Sequence, residues 1–174
     1  MNRNQDMGKK TSSLALGSVF TAFSVVLLYI AGVLPTMRIA LSAAAGLFCA
    51  VMLMSRGAGY SLLVYIATSL ISLFFLPVKT PPFIYFAFFG YYPILKYFIE
   101  KLRSLPIEWL LKLLSFNLVF TLLLYFSSYI AGLQDIFTAF PVYILYIAAN
   151  IAMILYDFAF SLLIARYRSR LTRL

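Results

Sequence analysis

Asp157 is a carboxylate inside an apolar run. The run extends from about Pro141 to Ala165, and Asp157 stands roughly 12 Å along a helix from its end. A charged side chain at the centre of a bilayer costs about 3 kcal/mol on insertion scales, so something must engage it. Asn117 lies at a similar depth in the preceding run, from Trp109 to Ile130, and Lys112 lies nearer that run's start. Asp157 with Asn117, or with a basic neighbour, would make an internal polar clasp. The alternative chemistry is a proton or ion relay. A relay needs a second carboxylate at depth, and Asp6, Glu100, Glu108 and Asp135 all fall at or beyond the ends of apolar runs.

Two further sets of residues suggest binding. Tyr29, Arg38, Lys79, Gln134, Asp135, Tyr143 and Tyr146 cluster at run ends on one side, with Asn150 one to two turns deeper. They can line an outward-opening pocket, with Arg38 or Lys79 holding an anionic group and the tyrosines stacking on a ring. They read equally as an aromatic belt with solvated loop charges. In the first run, Ser18 and Ala22 stand four apart, with Ala15 on the same face, and Gly17 and Thr21 repeat the spacing. Small residues so spaced let a second helix backbone approach closely, either within the chain or from another subunit. Tyr91 and Tyr92 fall towards the opposite side, as interfacial anchors or as part of a partner contact.

Enzymatic signatures are absent. There is no histidine, so neither a Ser-His triad nor a histidine-ligated metal is available. The single cysteine, Cys49, excludes an internal disulfide and reads as a small core residue in an apolar run. No glycine-rich phosphate loop follows a strand, so ATP hydrolysis would have to come from elsewhere. The chain reads as a non-enzyme without cofactor or metal.

The elements that must position these residues are helices in a membrane. Of 174 residues, 64% are hydrophobic and 11% charged, against about 25% charged in soluble domains. A chain this apolar cannot cover itself with polar surface, so lipid must be its solvent. At roughly 20 residues per span, the length accommodates about six spans and no soluble domain. The expected fold is an all-α integral membrane bundle in one domain, 13–165, between a basic segment, 1–12, and a basic tail, 166–174. The first run is too long for a secretory signal core, which predicts an uncleaved first span.

The spans read as Ser13 to Leu34, Ile39 to Met54, Tyr60 to Leu76, Phe83 to about Tyr97, Trp109 to Ile130, and Pro141 to Ala165. Pro77, Pro81 and Pro82 predict a loop, because each removes a backbone donor. Gly90 and Pro93 can kink the fourth span. With the N-terminus inside, twelve of the fourteen lysines and arginines fall on the cytoplasmic side, and only Arg38 and Lys79 fall outside. The positive-inside rule predicts this bias, with both termini in the cytoplasm of a multi-pass protein of the bacterial cell membrane.

The layout resembles the substrate-binding membrane subunits, or S components, of energy-coupling factor transporters. The resemblance rests on size, on the basic start before Leu14-Ala15-Leu16-Gly17-Ser18-Val19-Phe20-Thr21-Ala22, and on the short proline-bearing first loop. It implies capture of a small vitamin-like molecule near the outer face. It also implies delivery through a transmembrane coupling subunit driven by an ATPase pair, with Ala15, Ser18 and Ala22 as the docking face. Ser18 stands where that family usually has alanine. The stretch Phe88 to Lys96 is also similar to bacterial membrane proteins of the same general layout. The competing class is a non-transporting scaffold resembling the rod-shape morphogenesis membrane subunit, which acts through protein contacts.

Overall fold

The computed structural model describes residues 3–102, 104–126 and 141–171, and all of its regular elements are helical. Helix α1 spans Arg3–Val33 and is followed by a 3-10 turn, Pro35–Met37. Helices α2, Arg38–Arg56, and α3, Ala58–Phe75, follow. A broken segment comes next: α4, Thr80–Ile84, a π-helical turn, Tyr85–Phe89, and α5, Tyr92–Glu100. Helix α6 spans Leu105–Phe126 and α7 spans Val142–Leu171.

Among the described residues, five helices are long and apolar enough to cross a bilayer: Met7–Val33, Pro35–Arg56, Ala58–Phe75, Leu105–Phe126 and Val142–Leu162. The side-chain distribution is consistent with that use. Phe74, Phe75 and Leu162 are each more than 70% exposed. Ser24, Ser42, Ser61, Thr68, Ser72, Lys96, Lys112 and Asp157 are buried. A soluble protein shows the reverse arrangement, because in water the apolar groups are driven inward.

The breaks between helices follow local chemistry. Gly57 ends α2 at φ 94°, a left-handed backbone that side chains with a Cβ resist, and its N–H returns to the Leu53 carbonyl. Pro81 and Pro82 sit in the first turn of α4 rather than in a loop, because the donors they lack would be unpaired there anyway. Pro93 likewise opens α5 instead of kinking a continuous span. The fourth expected span is thus a chain of short helical pieces, none of which crosses a bilayer alone. At the other boundaries, α1 starts well before Ser13 and α7 runs past Ala165. Nothing in the polar flanks breaks a helix.

The helices gather into two compact units, Met1–Glu108 and Trp109–Leu174. In the first, α1 and α3 run parallel, with α2 antiparallel and packed on both. Gly17 brings α1 against Val64 of α3 and Met52 of α2. Phe48 of α2 packs on Phe20 and Phe23 of α1, with ring centroids 5.7 and 5.9 Å apart. At Gly46, α2 meets the π-helical turn so closely that an added Cβ would collide with the Phe89 carbonyl. Small residues permit these approaches, and hydroxyls stitch them. Ser61 donates to the Cys49 carbonyl at 2.7 Å, and Tyr65 donates to the Phe86 carbonyl at 3.0 Å.

Candidate functional site

In the second unit, α6 and α7 are joined by a ladder of polar pairs. Lys112 Nζ lies 3.3 Å from both carboxylate oxygens of Asp157. Both residues are about 95% buried, at 4% and 5% exposure. The ammonium also sits 5.6 Å from the Trp109 ring centroid, where a cation–π attraction adds to the ion pair. Next along, Asn117 and Asn150 exchange amide hydrogen bonds, at 3.1 Å in one direction and 3.0 Å in the other. The third rung is Thr121 Oγ1 with Tyr146 Oη, at 2.7 Å. Positions 112, 117 and 121 ascend as 157, 150 and 146 descend, so the rungs fix an antiparallel register.

The sequence leaves Asp157 two clasp partners, Asn117 or a basic neighbour. Asp157 takes the basic neighbour, Lys112, which neutralises its charge, and Asn117 finds an amide that can both give and accept. The sequence offered a signal for this: in an antiparallel hairpin, residues equally far from the turn face each other, which matches Asn117 with Asn150 and Thr121 with Tyr146. What sequence reading missed was Asn150 as a structural partner.

The described residues expected to line an outward pocket are divided between the two compact units. Tyr29, Arg38 and Lys79 share one end of the first unit, opposite the end that holds Lys9, Lys10 and Arg56. Tyr29 is exposed and lines a cavity of about 170 Å³ with Gly32, Val33, Leu76, Pro77 and Val78. Lys79 Nζ donates to the Leu73 carbonyl at 2.7 Å and to the Phe74 carbonyl at 3.4 Å, capping α3. Arg38 opens α2, and its buried Nε has no hydrogen-bond partner among the described residues. In the second unit, Tyr143 is exposed, while Tyr146 and Asn150 are engaged in the ladder. Gln134 and Asp135 lie outside the described residues.

The docking residues have a clearer setting. Ser18 and Ala22 line an open groove of about 640 Å³ between α1 and α3, with Met52 at its floor. Gly17 and Thr21 line it too. Ala15 is exposed but does not line the groove. The Ser18 hydroxyl donates to the Leu14 carbonyl at 3.0 Å, so it presents no unsatisfied polar atom to hydrocarbon. The small side chains leave a trough along the helix pair, bordered by Leu63, Ile71 and Val26.

Lys96 was placed by the sequence among the cytoplasmic surface charges. It is 1% exposed and pairs with Glu100 at 3.1 Å. These features are consistent with a multi-pass helical membrane protein. No protein family, curated protein or solved structure matches the chain.

Proposed function

We propose that the chain is a subunit of the bacterial cell membrane that works by docking a partner's transmembrane helix, with six spans and both termini cytoplasmic. The broken segment 80–100 is the remaining span in this reading, its gaps tolerated because its backbone is packed against α1, α2 and α3. The observation that carries the proposal is the α1–α3 groove, lined by Ser18 and Ala22, where small residues leave room for a helix backbone.

Within that reading, the occupant implied by the resemblance is the coupling subunit of an energy-coupling factor type transporter. The chain then captures a small vitamin-like molecule on the outer side. The position of Tyr29, Arg38 and Lys79 at one end of the first unit supports this, with the unsatisfied Arg38 Nε available to an anionic group. A specific observation favours the scaffold instead: the polar atoms of Asn150 and Tyr146 are already engaged by Asn117 and Thr121.

The discriminating experiment has two parts. The purified chain is screened for thermal stabilisation by a vitamin panel, and its copurifying proteins are identified. Ligand stabilisation that is lost in Arg38→Ala, with an ATPase pair among the partners, supports capture. Partners without any ligand effect support the scaffold. A chain that copurifies no partner, and whose neighbours are unchanged by Ala22→Leu, sinks the docking proposal.

A further inference from the structure

The groove between α1 and α3 does not end in apolar surface. At its lower end it is lined by Ser13, Leu14 and Tyr60. One helical turn earlier on the same faces of α1 stand Lys9 and Lys10, since positions four apart lie over one another. Both are exposed. Ser13 confirms the alignment, because its hydroxyl donates to the Lys9 carbonyl at 2.8 Å. Arg56, at the end of α2, reaches α1 at the same level, and its Nη2 donates to Ser12 Oγ at 3.3 Å. Ser12 stands about 100° or more around α1 from Ser13, Leu14 and Gly17, which line that end of the groove, so the bond holds the guanidinium on the α2 side of α1 and leaves Lys9 and Lys10 as the cations below the groove.

We propose that this arrangement is a binding site for an anionic phospholipid. The acyl chain lies in the trough from Ser13 to Val26, about 20 Å long at the helical rise. The headgroup phosphate is held by Lys9 and Lys10. The site goes beyond the docking proposal and rests on it only for the membrane setting. In the free subunit, a groove facing hydrocarbon is filled by lipid. The two lysines below its mouth select an anionic headgroup over a zwitterionic one, because each basic side chain near the surface favours anionic lipid. Tyr60 sits at headgroup level, where its amphipathic ring suits the interface. A partner helix entering the groove displaces the chain portion of this lipid.

The test uses the full chain in nanodiscs of mixed phosphatidylglycerol and phosphatidylcholine, released and weighed by native mass spectrometry. Phosphatidylglycerol is expected to be retained and phosphatidylcholine not. Replacing Lys9 and Lys10 together with alanine lowers that preference about 25-fold, from roughly fivefold per cation. Added salt lowers it in the unaltered chain, which keeps the test decisive if the double variant folds poorly. Ala22→Leu, which fills the trough, reduces retention of both lipids. Equal retention of the two lipids, salt-insensitive retention, or a retained polypeptide in place of lipid overturns the proposal. Loss of partner copurification with phosphatidylglycerol retention intact would sink the docking reading alone.

Discussion

Asn117 and Asn150 satisfy each other, each amide nitrogen donating to the other's carbonyl oxygen across α6 and α7. Each nitrogen also donates along its own helix, Asn117 to the Leu113 carbonyl and Asn150 to the Tyr146 carbonyl, both at 2.8 Å. The pair is saturated, and saturation is what allows it in hydrocarbon.

Replacing one asparagine leaves the other amide unpaired. Asn117→Leu or Asn150→Leu should destabilise the protein by about 1 kcal/mol, in the range found for interhelical bonds in membranes. The double variant should recover most of the loss, because no orphan remains. Unfolding in detergent micelles, run as a double-mutant cycle, reads the coupling directly. Additive losses would show that the two amides act independently.

The ion pair predicts a larger asymmetry. Lys112→Ala or Asp157→Ala strands a buried charge and should cost about 3–5 kcal/mol. Replacing both, Lys112→Met with Asp157→Leu, should restore near-native stability. If the proton-relay reading were correct, that double variant would abolish transport in vesicles while folding normally. A clasp predicts only the recovery of stability.

Three glycines separate close packing from chain flexibility. At Gly90 an added Cβ would come within 2.5 Å of the Tyr65 ring and 2.8 Å of Tyr85, and at Gly46 it would strike the Phe89 backbone. Gly46→Ala and Gly90→Ala should each destabilise by about 1–3 kcal/mol, with Gly46→Ala the worse because a backbone carbonyl cannot rotate away. Gly59, in α3, has nothing near its missing Cβ. Gly59→Ala should therefore stabilise the helix by about 0.5–1 kcal/mol. Thermal transitions of the three variants check this order.

Cys49 is fully buried, with its Sγ 3.0 Å from Tyr85 Oη. Membrane-permeant maleimide should leave it unlabelled in the native protein and label it after denaturation. Labelling at a comparable rate in both states would contradict the packing of α2 against the broken segment.

Much of the helical content was legible because hydrophobicity and breakers agree. The runs closed by Pro35 and Gly57 and the one opened by Pro141 became helices with nearby ends. The break in segment 80–100 was only half legible. Gly90 and Pro93 marked a weak point, but the π-helical turn Tyr85–Phe89 arises from packing against Gly46 and Tyr65, which no local pattern announces. Lys96 misled for a related reason: charge counting assigns every lysine to a surface, whereas this one is buried beside Glu100. Asp157 announced its need for a partner, and only the hairpin register decided that the partner was Lys112. The α1 face was readable as small residues. That α3 would complete a groove there, above Lys9 and Lys10, depends on the parallel placement of two helices separated by α2.

The ladder also bears on how the chain is made. A ribosome that has released α6 but not yet α7 has delivered a lysine without its counter-charge and an amide without its mate. Neither helix is at ease in the bilayer until the other arrives, so the translocon should retain the first and discharge the two as a hairpin. Nascent chains arrested before residue 157 should remain near the insertion machinery and be cleared by membrane proteolysis, whereas chains arrested beyond it should escape.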